Sequence, residues 1–424
     1  MKMKNTALAV LMILITAVVF AGGGNDSGGT SGGTVTIQVA NWDTANMPYV
    51  PVLIQAFETA NPGVKVEIVD IPSADYNQKL TVMLNGGSDV DAFWIKEADM
   101  AKSFNNRGQL MDLTANIRRD GINLNDFNGL AENFVFDEKT VALPARTDYY
   151  IMYYNKDIFD AAGVAYPSNN MTWPEWEQLA ARVTSGSGNT KKYGGFLHTW
   201  QACVQNWAVQ DGKHTIMETD YSFFKPYYEM AIRMQDAGTI WDFGTLKTAG
   251  IHYSSAFLQG NVAMMPMGTW FFSTIIDRIN KGESKVRWGI SVLPHPAGVE
   301  AGWTVGSTTP MAVNNASKKK DAAWEFVKFV TGPEGAKIYA AGGSLPARSN
   351  SQTLADIANA PGMPEGSLDA LQVKHISLDR PVADLVADVN NMLGEEHSLI
   401  MLKQVSIDQG LQNMARRSKQ IQNK

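Results

Sequence analysis

The sequence predicts an α/β protein in which parallel sheets are covered by helices. Short runs of alternating apolar residues are separated by segments with apolar residues at helical spacing, and Gly, Pro or Asn stands at the junctions. The chain has 424 residues, 45% hydrophobic and 18% charged, enough for two to three ordinary domains with a sizeable core.

The first 33 residues stand apart. Lys2 and Lys4 precede an apolar run over 7–20 that is too short to span a bilayer, and Val19 and Ala21 occupy the small-residue positions of a cleavage site. Residues 1–21 therefore read as an export signal, and 22–33, GGGNDSGGTSGG, as a flexible tether.

The mature part then alternates. Val35, Ile37 and Val39 mark a strand over 34–40 that runs out at Asn41, Trp42 and Asp43. Val52, Leu53, Ala56 and Phe57 recur at helical spacing over 48–60 until Asn61-Pro62-Gly63 stops them. Val64, Val66 and Ile68 form the second strand; Tyr76, Leu80, Met83 and Leu84 face the second helix. Residues 90–94 read as a short buried strand, followed by a helix from 99. Further on, 149–154 is an aromatic strand, and Thr172 with Glu175 forms a capping box. Residues 262–265 and 288–292 read as strands, 321–330 as a helix, and 367–421 as mainly helical.

Composition excludes several chemistries. Thirty-six Lys+Arg against 42 Asp+Glu give a net charge of -6, and no basic block is long enough to follow phosphates, so nucleic acid is excluded as the main partner. Cys203 is the single cysteine, which rules out internal disulfides, thiolate zinc clusters and CxxC pairs. The histidines lack metal-ligand spacing, and there is no GxSxG or phosphate loop. No cofactor, metal or catalytic centre is expected. With so many acids some carboxylates must meet in space, so a glycosidase pair stays open.

Tryptophan carries the positive signal, with eleven in the chain. Trp42 and Trp94 close strands, and ligands of open α/β sheets bind beyond the carboxyl ends of the strands. Asp43 and Lys96 share that level. Trp270 follows a strand and turn, while Trp200 and Trp303 fall in loops. Trp173, Trp176, Trp288 and Trp324 lie within helices or strands and read as core. Flat indoles beside carboxylates, amides and Arg suit a sugar, whose C–H face packs on an aromatic ring and whose hydroxyls donate and accept.

Longer matches now point to a family. They include FETANPGVKV at 57–66, GSDVDAFW at 87–94, YYNKDIF at 153–159 running into TWPEW at 172–176, FLQGNVAMM at 257–265 with Gly268-Thr269-Trp270, and AWEFVKF at 323–329. In order and spacing the chain resembles the sugar-binding components of ABC importers, the maltose- and trehalose-type proteins of extracellular solute-binding family 1. The resemblance implies a two-lobed periplasmic-binding-protein fold of type II, each lobe a mainly parallel sheet flanked by helices, with the ligand cleft between lobes. It implies a first lobe of 34–145 and 306–342, a second of 149–300 and 345–424, and crossings near 144–148, 301–306 and 343–346. By the same resemblance Trp270, Trp94, Trp42 and Asp43 line the cleft, and Arg146, Asp148 and Arg348 supply polar contacts from the crossings. The implied function is a monomeric, exported receptor, periplasmic or at the cell surface. It captures a mono- or oligosaccharide and delivers it to a membrane permease. Relatives carry a lipid-anchoring cysteine near position 22, where this chain has Gly22. The rivals are an anionic ligand held by Lys96, Arg146 and Arg348, an exported glycoside hydrolase, and an adhesion module without a small ligand.

Overall fold

The computed structural model describes residues 34–87 and 89–423; the export signal and tether read from residues 1–33 lie outside the described residues. Among the described residues ten strands occur in chain order: β1 Val35–Trp42, β2 Val64–Ile71, β3 Val90–Trp94, β4 Val135–Phe136, β5 Lys139–Thr140, β6 Leu143–Asn155, β7 Met264–Gly268, β8 Trp288–Ser291, β9 Trp303–Val313 and β10 His375–Leu378. The short β4 and β5 form their own hairpin.

In the first lobe β1 runs parallel to β2 over eight residue pairs and parallel to β3 on its other edge. Helices cover both faces, which is why all five residues of β3 are buried. The helix Tyr49–Ala60 packs Leu53 and Phe57 onto this sheet, and Phe57 meets Phe326 edge to face at 5.0 Å. Burying one such side chain stabilises by roughly 1.5–3 kcal/mol.

Two long strands join the lobes. β9 pairs with β3 through Met311–Val313 and with β10 through its first residues. β6 pairs with β9 from Leu143 to Tyr149, then continues between β7 and β8, antiparallel to both. The strands on either side of it are therefore parallel to each other. A third strip of chain runs alongside: Thr147 N–H donates to the Leu345 carbonyl at 3.0 Å, and Ala347 N–H to that of Ala145 at 3.1 Å.

Side-chain alternation along β6 builds the second lobe's core. Tyr150 and Met152 point into a cluster with Trp173, Trp176 and Trp207; Tyr149, Ile151 and Tyr153 point into another with Phe257, Phe271 and Phe272. The capping box forms as expected: Thr172 N–H donates to Glu175 Oε2 at 2.7 Å, and Glu175 N–H to Thr172 Oγ1 at 3.4 Å. It starts the helix Trp173–Val183, whose first indole stacks on Trp207 at 4.5 Å. Two expectations are corrected. Trp303 is not in a loop but opens β9, and β10 interrupts the stretch read as helical. Thr304, Gly306, Ser307, Thr308 and Thr309 break the apolar alternation of β9, and β10 is only four residues long, HISL, too short to show one. No helix among the described residues is long and apolar enough to cross a membrane.

Candidate functional site

Where β1 ends, the chain turns sharply out of the sheet. Asp43 adopts a left-handed backbone, φ 43° and ψ 44°, a region Asp tolerates better than most residues. The turn Thr44–Asn46 that follows is pinned by Asp70, which accepts from Thr44 N–H at 3.0 Å and Thr44 Oγ1 at 2.9 Å. Asp43 Oδ1 accepts from Ser73 N–H at 2.9 Å, and Lys96 Nζ donates to the Ser73 carbonyl at 2.8 Å. The ends of β1, β2 and β3 are thus tied into one rim.

This rim forms one wall of an inner cavity of about 230 Å³, which adjoins an outer one of about 1120 Å³. Trp42, Asp43, Lys96, Arg146, Asp148, Trp200 and Trp270 all line the inner cavity. The second lobe's wall is aromatic. Trp270 meets Tyr150 edge to face at 5.3 Å and lies 6.4 Å from Trp200, while Trp200 meets Tyr253 at 5.6 Å. Tyr150 leans in turn on Trp207 at 5.3 Å, so the indole stack beneath the capping box backs the cavity wall.

The floor lies at the crossings. Arg146 is buried, donates to Tyr49 Oη at 3.0 Å, lies 3.4 Å from Asp148 Oδ2 and sits over the Trp42 ring at 5.8 Å. Asp148 Oδ1 accepts from Thr269 Oγ1 at 3.1 Å. Burial raises the Asp148 carboxyl above the ordinary carboxylate value, with the Arg146 guanidinium and the Thr269 hydroxyl pulling it back. Burial pushes Asp379 up to about 6, against the pull of Arg380. His252 is lowered by burial while Asp43, on the opposite lobe, opposes the shift.

Three expected residues lie elsewhere. Trp94 is 3% exposed; its indole N–H donates to Tyr339 Oη at 3.2 Å and its ring meets Phe326 at 6.0 Å, so it is first-lobe core. Trp303 packs on His375 at 4.3 Å, away from the cavity. Arg348 pairs with Asp126 and covers the Phe127 ring at 5.1 Å. The anion-binding trio of Lys96, Arg146 and Arg348 is therefore not assembled.

The structure adds Glu97, Tyr150, Gln201, His252, Tyr253, Asp379, Arg380 and Asn390 to the wall. Asp379 and Arg380 follow β10, so the strand-end rule would have found them had β10 been legible. Gln201 and Asn390 hydrogen-bond each other at 2.9 Å across sequence-distant elements and had no local signal. Among the described residues no group of His, Cys, Asp and Glu could hold a metal ion.

The family model for bacterial extracellular solute-binding protein matches residues 41–337. A sugar transporter from Rhizobium etli, solved in an open conformation, is similar at 42% identity over 91% of this chain and 99% of its own, with a TM-score of 0.75. An ABC substrate-binding protein from Listeria monocytogenes, in complex with cycloalternan, shares the fold at 23% identity over 92% and 99%, TM-score 0.81. The arabinooligosaccharide-binding protein of Bacillus subtilis is 24% identical over 360 residues, 79% of this chain and 77% of that one. With a fold, a cleft and a sequence match that agree, the chain belongs to the bacterial extracellular solute-binding protein family.

Proposed function

We propose that this protein is a non-catalytic, monomeric receptor that binds a neutral carbohydrate in the cleft and hands it to the membrane permease of an ABC importer. The observation that carries the reading is the meeting of Trp42 from one lobe with Trp200 and Trp270 from the other around a single cavity also walled by carboxylates, guanidinium groups and amides. Indole faces suit the C–H face of a sugar ring, and the polar groups suit its hydroxyls. A hydroxyl buried without a partner costs about 1–3 kcal/mol, which would let such a wall select stereochemistry.

Charge favours a neutral ligand. Asp43, Glu97, Asp148 and Asp379 line the inner cavity with Lys96, Arg146 and Arg380, and Arg146 is committed to Asp148 and Tyr49. No surplus of free cations awaits an acid. The names of the similar proteins, a sugar transporter and oligosaccharide binders, point the same way. Export to the periplasm or cell surface, the lobe limits 34–145 with 306–342 and 149–300 with 345–424, and closure of the lobes on ligand belong to this reading. Calorimetry with neutral and acidic mono- and oligosaccharides tests it. Saturable heat with a neutral sugar is the expected result; response only to acidic sugars or non-sugar solutes, or hydrolysis of the sugar, would overturn it.

A further inference from the structure

Two residues before Trp270, which lines the cavity, stands Gly268, the last residue of β7. A glycine inside a strand weakens it and often marks a close approach of another group. Its backbone gives no reason for glycine, because it is absent from the positive-φ residues and lies in regular register with Tyr150. The reason is the ring two residues on. A Cβ built on Gly268 would overlap Cζ3, Cε3 and Cη2 of Trp270, far inside any permitted contact. The indole lies directly over the strand backbone.

Its other neighbours complete the seat. Tyr150, opposite Gly268 across the ladder, meets the indole at 83°, and Trp200 flanks it at 59°. The Gly268 carbonyl is itself fixed, accepting from Tyr153 Oη at 2.9 Å. The strand is held in place against an added methyl by this bond and by its ladder with β6, paired from Tyr150–Gly268 to Tyr154–Met264. The side chain that can move is Trp270, and the free volume beside it is the 230 Å³ cavity.

We propose that Gly268 is a positioning residue for ligand binding: its missing side chain seats the Trp270 indole flat against β7 and keeps the cavity open for a sugar ring. The proposal rests on the carbohydrate reading above. A methyl at 268 drives the indole into the cavity, removing both the stacking platform and the space the sugar would occupy. Gly268 acts through Trp270, so its effect disappears when the indole is absent.

The test uses the full chain with Gly268→Ala, Trp270→Ala and the double variant, titrated calorimetrically with a panel of neutral mono- and oligosaccharides, together with a crystal structure of Gly268→Ala. Expected are a displaced indole, a loss of affinity of about tenfold or more for the sugar the wild type binds best, and a double variant no weaker than Trp270→Ala. An unmoved indole, or wild-type affinity in Gly268→Ala, overturns the proposal and leaves the carbohydrate reading standing. A double variant clearly weaker than Trp270→Ala also overturns it, because the glycine would then act through other neighbours. Should Gly268→Ala fail to fold, the double variant, which lacks the overlap, still decides: failure to fold there too refutes action through the indole, and recovery of folding with Trp270→Ala affinity supports it. A wild type silent to the whole panel overturns the carbohydrate reading and this proposal together.

Discussion

The two walls of the cleft are built differently. The first lobe offers strand ends: Trp42, Asp43, Lys96 and Glu97, with Asp43 and Lys96 tied by hydrogen bonds to Ser73. The second lobe offers a packed aromatic surface, Tyr150, Trp200, Tyr253 and Trp270, resting on the indole stack of its core. The lobes touch across the gap where Thr274 Oγ1 donates to the Asn46 carbonyl at 2.9 Å. The apolar platform is therefore preorganised within one lobe, while much of the polar wall reaches the ligand only when the other lobe is in place. Stacking on Trp200 and Trp270 should depend on one lobe alone, and contact with Trp42 and hydroxyl recognition on both.

This contrast is breakable. Trp270→Ala strikes the preorganised wall and is expected to weaken sugar binding about 100-fold in calorimetry with the melting temperature little changed, as loss of a central aromatic anchor does. Asp43→Asn strikes the other wall while keeping a side chain that tolerates the left-handed turn. About a tenfold loss is expected, the scale of one hydrogen bond to a charged group. Equal losses from both would mean that the aromatic wall holds no special share.

The seam where the lobes meet gives a pH test. Asp99 on the first lobe is buried with neither carboxylate oxygen hydrogen-bonded among the described residues. Burial, reinforced by Glu97 and Asp379 and partly opposed by Arg380 of the second lobe, pushes its carboxyl up to about 7. The folded state thus holds this proton more tightly than the unfolded chain. The resulting stability is full below the ordinary value of 3.8, falls as pH rises from there to about 7, and is absent above. Asp99→Asn removes this loss, so its melting temperature relative to wild type should rise by a few degrees between pH 4 and pH 8. A constant difference across that range would contradict the assignment. The smallest effect is expected at Arg348: its pairing with Asp126 lies outside the cleft, so Arg348→Ala should leave sugar affinity unchanged within about twofold.

How far the sequence could be read follows the same division. Strand ends were legible because β1 and β3 alternate or run apolar up to a polar stop, which placed Trp42, Asp43 and Lys96 at the correct level. Level is not direction. Trp94 ends its strand as Trp42 does, yet it points into the helices that carry Phe326 and Tyr339, because a buried sheet has no polar face to tell one side from the other. The crossing strands were only half legible. Pro144, Arg146 and Asp148 interrupt the apolar run of β6, and Thr304, Ser307, Thr308 and Thr309 do so in β9, since the junction between lobes is polar. Gly268 was visible only as part of a motif; its reason needed the ring that lies on it.

The most direct test of the account is a crystal structure of the protein with its tightest-binding neutral sugar. The expected result is a sugar ring packed on the face of Trp270, with Trp42 and Asp43 closing on it from the other lobe. A sugar bound with Trp270 untouched, or seated outside the cavity shared by the two lobes, would contradict it.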